Sequence, residues 1–459
     1  YVDNYVHSVG TFNDILDGEV YRKESEAVKK DGSFCISLYW HTDGAPALKS
    51  KNISLWPIQS FVAEMPPNLR YSFRNILLSG LWYGRKKPEM KVFQNYFVEQ
   101  VKTLKNGFEL NVDGEKTKFK LAVGGQAADL VAKGPSINCK LHNGRFGCST
   151  CLHAGRRLPG RGNKRVYEYC PQIPPRRNHN DFLIHALLAE QSGEAVYGVK
   201  GTSPVHDILR IPEMLLLDYM HQVLEGEYTR RLSKWFNGSC PSGVSFHDEA
   251  TKAALSGKLT STFLPHDFKR KLRQVEEFKK WKANEKQTMF LHVGLPLLKQ
   301  LLPPELFYHH CLLVTGIRLL CEDTITENDI NVAEAMLLNY TRLLPSLFDV
   351  SEATYNSHSL THLPQQVRNH GPLILHSTFV FESMLAHLKR LFHGTRGIPD
   401  QIIKKLALAQ HAKGHIVKNV QKNDAVKEFA ESLLDLSYPN NVININNGIK
   451  FILPLQQKI

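Results

Sequence analysis

Residues 32–46 read GSFCISLYWHTDGAP, and the rest of the chain can be built outward from them. They supply a β-branched and aromatic run ending in Asp43-Gly44, a strand closed by a turn signal. Asp43 therefore sits at a strand end. KNISLWPIQSFVAEMPP, from Lys51, and NILLSGLWYGRKKP, from Asn75, read as two further strands. KVFQNYFVEQVKTLKNG then sets Val92, Phe93, Phe97, Val101 and Leu104 at helical spacing, with Gly107 as a stop. KTKFKLAVGG follows as another strand and leads towards Asp129. Three strands, a helix and a strand, with an Asp near the end of the first and the last, predict an α/β layer.

The composition supports a folded chain of this kind. Its 459 residues are 42% apolar and 22% charged, with 23 Phe, 16 Tyr and 5 Trp, which excludes disordered, collagenous and miniprotein classes. Lys and Arg number 57 against 44 Asp and Glu, a net charge of +13, so a polyanionic partner is expected. Eight Cys are too sparse for a disulfide scaffold and fit a reducing compartment with one metal site. The richest apolar segment, Leu306 to Leu320, is broken by His309, His310 and Arg318, which suits a buried helix and no membrane association. No initiator Met or signal peptide opens the chain, and residues 1–31 read as the remnant of a longer one.

From Cys148 to about Pro175 the chain is turn-rich and basic, and from Asn180 it is mostly helical. NDFLIHALLAEQ is expected to be a helix capped by Asn180 or Asp181. A second helix is expected from Phe268, with Phe268, Leu272, Val275, Phe278 and Trp281 as its apolar stripe. Two buried helices follow around Pro303-Pro304, then one started by the Thr326/Asp329 pair. A last helix is expected near Phe379 to Phe392.

Cys148-Ser-Thr-Cys151 is the strongest local chemical signal. Two thiolates at this spacing can share one Zn²⁺, with a redox pair or coincidence as alternatives. His358 and His362 lie at i and i+4, so on a helix both imidazoles face one way, although a chain with 21 His carries such pairs by chance. Together the pairs make a Cys₂His₂ set whose zinc would close a very long insertion. Loop closure costs only about 0.6 kcal/mol more per doubling of length, against roughly 10 kcal/mol or more from structural zinc. Asp129 precedes the first Cys by about as much as Glu382 follows the second His, so the same zinc would draw these acids together. With Asp43 they would form three converging carboxylates, the hard-oxygen set that two Mg²⁺ or Mn²⁺ ions require. With 44 acids in the chain, a bystander triad is the competing reading.

These residues resemble the catalytic core of CACTA (En/Spm-type) cut-and-paste DNA transposases, from about Tyr39 to Gly397. The markers run in order: TDGAPALKSKNISLWPIQ, NILLSGLWYGRKKPEM, DLVAKG with NGRFGCSTC, LLDYMHQVLEG, WKANE, YNSHSLTHL, and GPLILHSTFVFES with HGT. The resemblance implies an RNase H-like (DDE transposase/integrase) core with a large, mostly helical, zinc-clamped insertion. It implies Asp43, Asp129 and Glu382 as ligands of two Mg²⁺ or Mn²⁺ ions, and Cys148, Cys151, His358 and His362 as ligands of one structural Zn²⁺. It also implies that His221, in Asp218-Tyr-Met-His221, lies near the scissile phosphate; a helix-start Asp with a satisfied His is the alternative. Val131 stands where the family has Pro and is expected to loosen the turn after Asp129.

The domain reading is a remnant at 1–31, the first part of the core at 32–147, the insertion at 148–362, the last core helix at 363–400, and a helix and tail at 401–459. The expected partners are transposon terminal inverted repeats and target DNA, in the nucleus, with a homodimer or larger synaptic assembly. A domesticated descendant that binds DNA or chromatin without cutting is the rival expectation. For phosphate contact the preferred loop carries Arg156, Arg157, Arg161, Lys164 and Arg165. Arg176 and Arg177, the run Lys269, Arg270, Lys271 and Arg273, and the cluster Arg85, Lys86 and Lys87 are further candidates.

Overall fold

The computed structural model describes the chain except for residues 49–51, 113, 161–163, 238–248, 267, 269, 420–441, 446–448 and 453–459. Seven strands form one mixed sheet: β1 (Phe34–Thr42), β2 (Ala45–Leu48), β3 (Ile53–Val62), β4 (Leu77–Gly84), β5 (Phe108–Val112), β6 (Glu115–Ala128) and β7 (Leu215–Leu217). The order is β7-β6-β1-β3-β2, with β4 also on β3 and β5 also on β6. β3 runs antiparallel to both β1 and β4, whereas β6 runs parallel to β1 and β7 parallel to β6. Central β1 is buried almost throughout, as a strand covered on both faces must be.

The period-two alternation of β1 divides its side chains between two layers. Trp40 packs on Phe97 of helix α2 (Met90–Lys105), ring centroids 5.0 Å apart. Tyr39 points the other way and bonds through its hydroxyl to His370 Nδ1 at 3.0 Å. α2 appears as expected, but Val92 is 64% exposed and the buried face is Met90, Gln94, Phe97, Val98 and Val101. The buried face follows the sheet: Phe97, Val98 and Val101 cluster with Trp40, Leu121 and Val123 of β1 and β6, while Trp82 of β4 meets Phe93.

Three departures concern organisation. β7 lies inside the stretch read as insertion; its three leucines are a short apolar run that periodicity cannot assign to a strand. Residues read as an N-terminal remnant are built in: Thr11–Phe12 pairs with Ile325–Thr326, and α1 (Glu19–Lys29) packs on β1 and β6. The helix expected from Phe268 is a single 3-10 turn, Val275–Lys280, although Leu272, Val275, Phe278 and Trp281 are all buried. The apolar pattern reported burial there and not helix.

After α3 (Leu130–Ser136) comes α4 (His179–Ser192), capped by Asn178, whose side chain accepts from the Asn180 and Asp181 amides. The expected cap was two or three residues too late. Beyond β7 the chain is helical, through a π-helical turn Met220–Tyr228, α5 (Thr229–Asn237), α6 (Pro304–Leu319) and α7 (Glu327–Leu347), the last opened by the expected Thr326/Asp329 capping box. These pack around a large apolar core that includes Tyr228, Trp235, Phe290, Leu313 and Leu337. The chain then returns through α8 (Tyr355–Ser359), α9 (Leu363–His370) and α10 (Phe379–Leu388).

The chain divides into two compact units, Tyr1–Met384 and Leu385–Ile459. The second contains α11 (Ile398–Asn419) and an antiparallel hairpin of Val442–Ile445 with Ile449–Ile452. Among the described residues no helix is long and apolar enough to cross a membrane, and the described cysteines are free thiols.

Candidate metal centres

The first centre is built by a knuckle and a helix. The turn before Cys148 is tight: a Cβ on Gly147 would lie 2.3 Å from the Leu141 carbonyl oxygen, so glycine is required there. Arg177 then fixes the knuckle, donating from Nε to the Cys148 carbonyl and from Nη2 to those of Phe146 and Tyr197, each at 2.9 Å. Opposite, α8 continues through a 3-10 turn, Leu360–His362, and carries His358 and His362 on one face. The donor atoms of Cys148, Cys151, His358 and His362 all lie within 4.8 Å of one another.

Individual edges are 3.6 Å from Cys148 Sγ to His362 Nε2, 3.3 Å from Cys151 Sγ to His358 Nε2, and 3.2 Å between the two Nε2 atoms. A zinc tetrahedron with ordinary bond lengths has sulfur–nitrogen edges of about 3.6 Å and nitrogen–nitrogen edges of about 3.4 Å. The donor set and spacing fit structural zinc, and both cysteines are 1% exposed. The hydrogen bond to Cys148 raises the Cys151 thiol, while Cys148 is held low, against the effect of burial, by the Cys151 hydrogen bond and the two imidazoles.

The second centre lies at the ends of β1 and β6. His41 on β1 pairs with Ala127 on β6, so Asp43 and Asp129, two residues further on each strand, leave the sheet side by side. Asp129 caps α3, its Oδ1 accepting the Ala132 amide at 2.6 Å. Val131 is exposed and the cap forms regardless, so the turn is not loosened. Asp43 is followed by Gly44, where a Cβ would fall 2.1 Å from the Trp56 ring. Glu382 arrives from α10. Donor atoms of His41, Asp43 and Glu382 lie within 4.8 Å of one another, whereas Asp129 stands outside that tight group and acts on it through its charge. Burial, then Asp129 and Glu382, push the Asp43 carboxyl up to about 6 against the hydrogen bond from Gly44. Such mutual repulsion is what a cation relieves.

Asp218 and His221 join this centre. Asp218 is wholly buried at the mouth of β7; its Oδ2 accepts from His221 Nδ1 at 2.7 Å and from the Thr378 hydroxyl at 2.7 Å, and its Oδ1 from the Thr378 amide at 2.8 Å. Burial alone would raise its pKa, but the bonds from His221 and Thr378 hold it below the usual carboxylate range. Burial would lower His221, but Asp218, then Glu382 and Asp129, push it up to about 9. The alternative reading of a helix-start Asp with a satisfied His is met: Asp218 accepts the His221 backbone amide at 2.8 Å and also favours its charged imidazole.

A series of contacts runs from one centre to the other. His362 leads into α9, whose Gln366 side chain bonds the Leu217 amide at 2.7 Å and its carbonyl at 2.8 Å. Leu217 precedes Asp218, and Asp218 holds Thr378 at the start of α10. Lys133 lies between the centres. Its buried ammonium donates to the Leu216 carbonyl at 2.6 Å, and burial pushes its pKa down to about 8 against the pull of Asp218, Cys148 and Asp129. Sequence reading missed His41 and Lys133. The signals were there: His41 shares a strand face with Asp43, and Lys133 a helix face with Asp129.

The basic candidates divide. Arg156–Arg157 pairs with Arg165–Val166 as a small ribbon; Arg156 is tied to Glu168 at 2.6 Å, and Arg165 bonds the Ala154 and Gly155 carbonyls. Lys164 is half-buried, and Arg161 lies outside the described residues. Arg177 is buried structure and not a phosphate ligand. Arg273 pairs with Glu285 at 2.7 Å, and Lys269 is outside the described residues. Arg85, Lys86 and Lys87 are exposed, and Lys87 reaches the Trp56 ring that covers Gly44. Through that ring the cluster approaches the turn that carries Asp43. No protein-family model matches the chain, and no curated protein matches it.

Proposed function

We propose that the chain is the catalytic core of a CACTA (En/Spm-type) DNA transposase with an RNase H-like fold. One observation carries the reading: Asp43 and Glu382, from opposite ends of the first unit, meet in one donor cluster beside Asp129. The strand order adds support, because three antiparallel strands followed by two parallel ones, with a helix between, is the RNase H-like arrangement. The helical insertion enters after β7 and ends at the zinc ligands, so the metal holds closed the loop that separates Glu382 from the two Asp residues.

In this reading the three carboxylates hold two Mg²⁺ or Mn²⁺ ions, which would activate water and stabilise the leaving oxygen. The chain's own residues do the rest. His221, charged at neutral pH and aimed by Asp218, donates to a phosphate oxygen. Arg85, Lys86 and Lys87 bind the backbone entering the cleft, and the Arg156–Arg165 ribbon binds duplex further away. Hydrolysis frees a 3′-hydroxyl, which attacks a second phosphodiester in the target at the same carboxylates. Two ends have to be joined, so a nuclear dimeric or larger assembly follows.

The test is nicking of labelled duplex DNA in Mg²⁺ or Mn²⁺. Glu382→Gln is expected to lose at least about 100-fold, since metal stabilisation of the transition state amounts to several kcal/mol. Equal nicking by wild type and variant rejects the triad. DNA binding without nicking by the wild type favours the domesticated, non-cutting alternative.

A further inference from the structure

Two carboxylates and a histidine make the tight cluster, and the histidine was not needed by the reading above. His41 is 2% exposed, and its Nδ1 lies 2.9 Å from the Ala127 carbonyl oxygen. A carbonyl only accepts, so Nδ1 carries the proton and the lone pair is on Nε2. Imidazoles that bind metal are held in this way, with the far nitrogen donating to a carbonyl or carboxylate. The ring stacks on Phe381 at 5.1 Å and 11°, so the residue next to Glu382 fixes its plane.

Other buried histidines either spend both nitrogens on the protein or, like His309 and His310, leave a spare one among aromatic rings. His370 bonds Tyr39 through Nδ1 and the Glu213 carbonyl through Nε2; His206 spends its two nitrogens on the Ser203 amide and the Ile137 carbonyl. His41 spends one. Its Nε2 has no protein hydrogen-bond partner among the described residues, and a ligand atom of the ring lies within 4.8 Å of those of Asp43 and Glu382.

We propose that His41 Nε2 is a direct ligand of a metal ion bound by Asp43 and Glu382, which makes the two metal positions of the cleft chemically unequal. Asp43 is common to both. The position towards Asp129 is completed by oxygen, as Mg²⁺ prefers, while the position towards Glu382 has nitrogen and favours a transition-metal ion such as Mn²⁺ or Co²⁺ over Mg²⁺. The proposal rests on the metal-cleft part of the function above and not on cleavage.

The experiment is pulsed electron spin resonance on the zinc-replete full chain titrated with Mn²⁺, reading modulation from a directly bonded imidazole nitrogen. Wild type is expected to show that coupling. His41→Gln is expected to lose it and to bind Mn²⁺ about 10- to 100-fold more weakly, with Mg²⁺ competing better. Mn²⁺ that is released by Glu382→Gln but shows no nitrogen coupling in wild type overturns the proposal. So does coupling that persists in His41→Gln, which would assign it to His221, and so does the absence of Mn²⁺ uptake. Coupling without DNA nicking would reject the transposase reading and leave His41 a ligand; nicking without coupling would do the reverse.

Discussion

The two candidate metal centres are close in the fold and opposite in physical character. The Cys148–His362 centre is soft, buried and complete in donors, four side chains whose edges are near those of one zinc tetrahedron. The centre at Asp43 is hard, partly open and repulsive, with a carboxyl pushed up to about 6 by burial and by its neighbours. The comparison teaches where this fold keeps its stability and where it gives some up. A site that only has to hold can be saturated by its own ligands. In the proposed function the other would bind and release a polyanion with its cations, and its unspent charge suits that role.

The largest effect should follow from opening the first centre. Cys148→Ser leaves three donors and a buried knuckle, and a structural zinc site is worth on the order of 10 kcal/mol. Zinc measured by atomic absorption should fall from one per chain to well under half. The melting temperature should drop by about 10 °C, at roughly 1 °C per kcal/mol for a unit as long as Tyr1–Met384. Unchanged zinc content and melting would remove the structural half of the comparison. The next effect belongs to Arg177. Arg177→Met leaves three buried carbonyls without donors, at about 2–4 kcal/mol. It should lower the melting temperature while leaving metal-free DNA affinity within about twofold, because this arginine does not face solvent.

That contrast also explains how much the sequence could tell. The zinc ligands were legible because thiolate and imidazole spacing is constrained locally, two residues apart in one case and one helical turn in the other. Asp43 and Asp129 were legible as strand ends, since alternating burial and turn residues mark where β1 and β6 stop. Glu382 came through its spacing from the zinc ligands and through resemblance, because nothing in a ten-residue helix says which acid faces a neighbouring strand end. β7 was hidden because three leucines carry no period. The Arg177 role was hidden because a basic pair looks the same whether it meets phosphate or three backbone carbonyls. The stripe through Trp281 shows the converse: burial alone can imitate helical spacing.

His221 supplies a smaller, pH-dependent test within the second centre. Its folded pKa of about 9 lies above the ordinary histidine value of about 6.5, so the folded chain holds the proton more tightly. The stabilisation is whole below pH 6.5, where folded and unfolded chains are both protonated. It decays as pH rises through the window up to about 9. In zinc-replete protein without added Mg²⁺ or Mn²⁺, wild type should exceed His221→Gln by about 1–3 kcal/mol at pH 6. The difference in melting temperature should shrink steadily and vanish by pH 9.5. A constant gap would mean that the imidazole acts through packing and not charge.

The smallest effect has the opposite sign, and for that reason it divides the two centres most cleanly. A carboxyl raised to about 6 binds its proton more tightly in the folded chain, so ionisation costs stability as pH rises from about 4 through 6. Asp43→Asn removes the charge that Asp129 and Glu382 oppose. Without added Mg²⁺ or Mn²⁺ it should stabilise the chain by about 1 kcal/mol at pH 7.5, with no gain at pH 4, where the wild-type carboxyl is already protonated. Added Mn²⁺ should then raise the melting temperature of wild type more than that of the variant, reversing the order. A destabilising Asp43→Asn at pH 7.5 would show that hydrogen bonding and packing at the strand end outweigh the repulsion. The cleft would then be a second satisfied site, and the distinction between the two centres would collapse to ligand type.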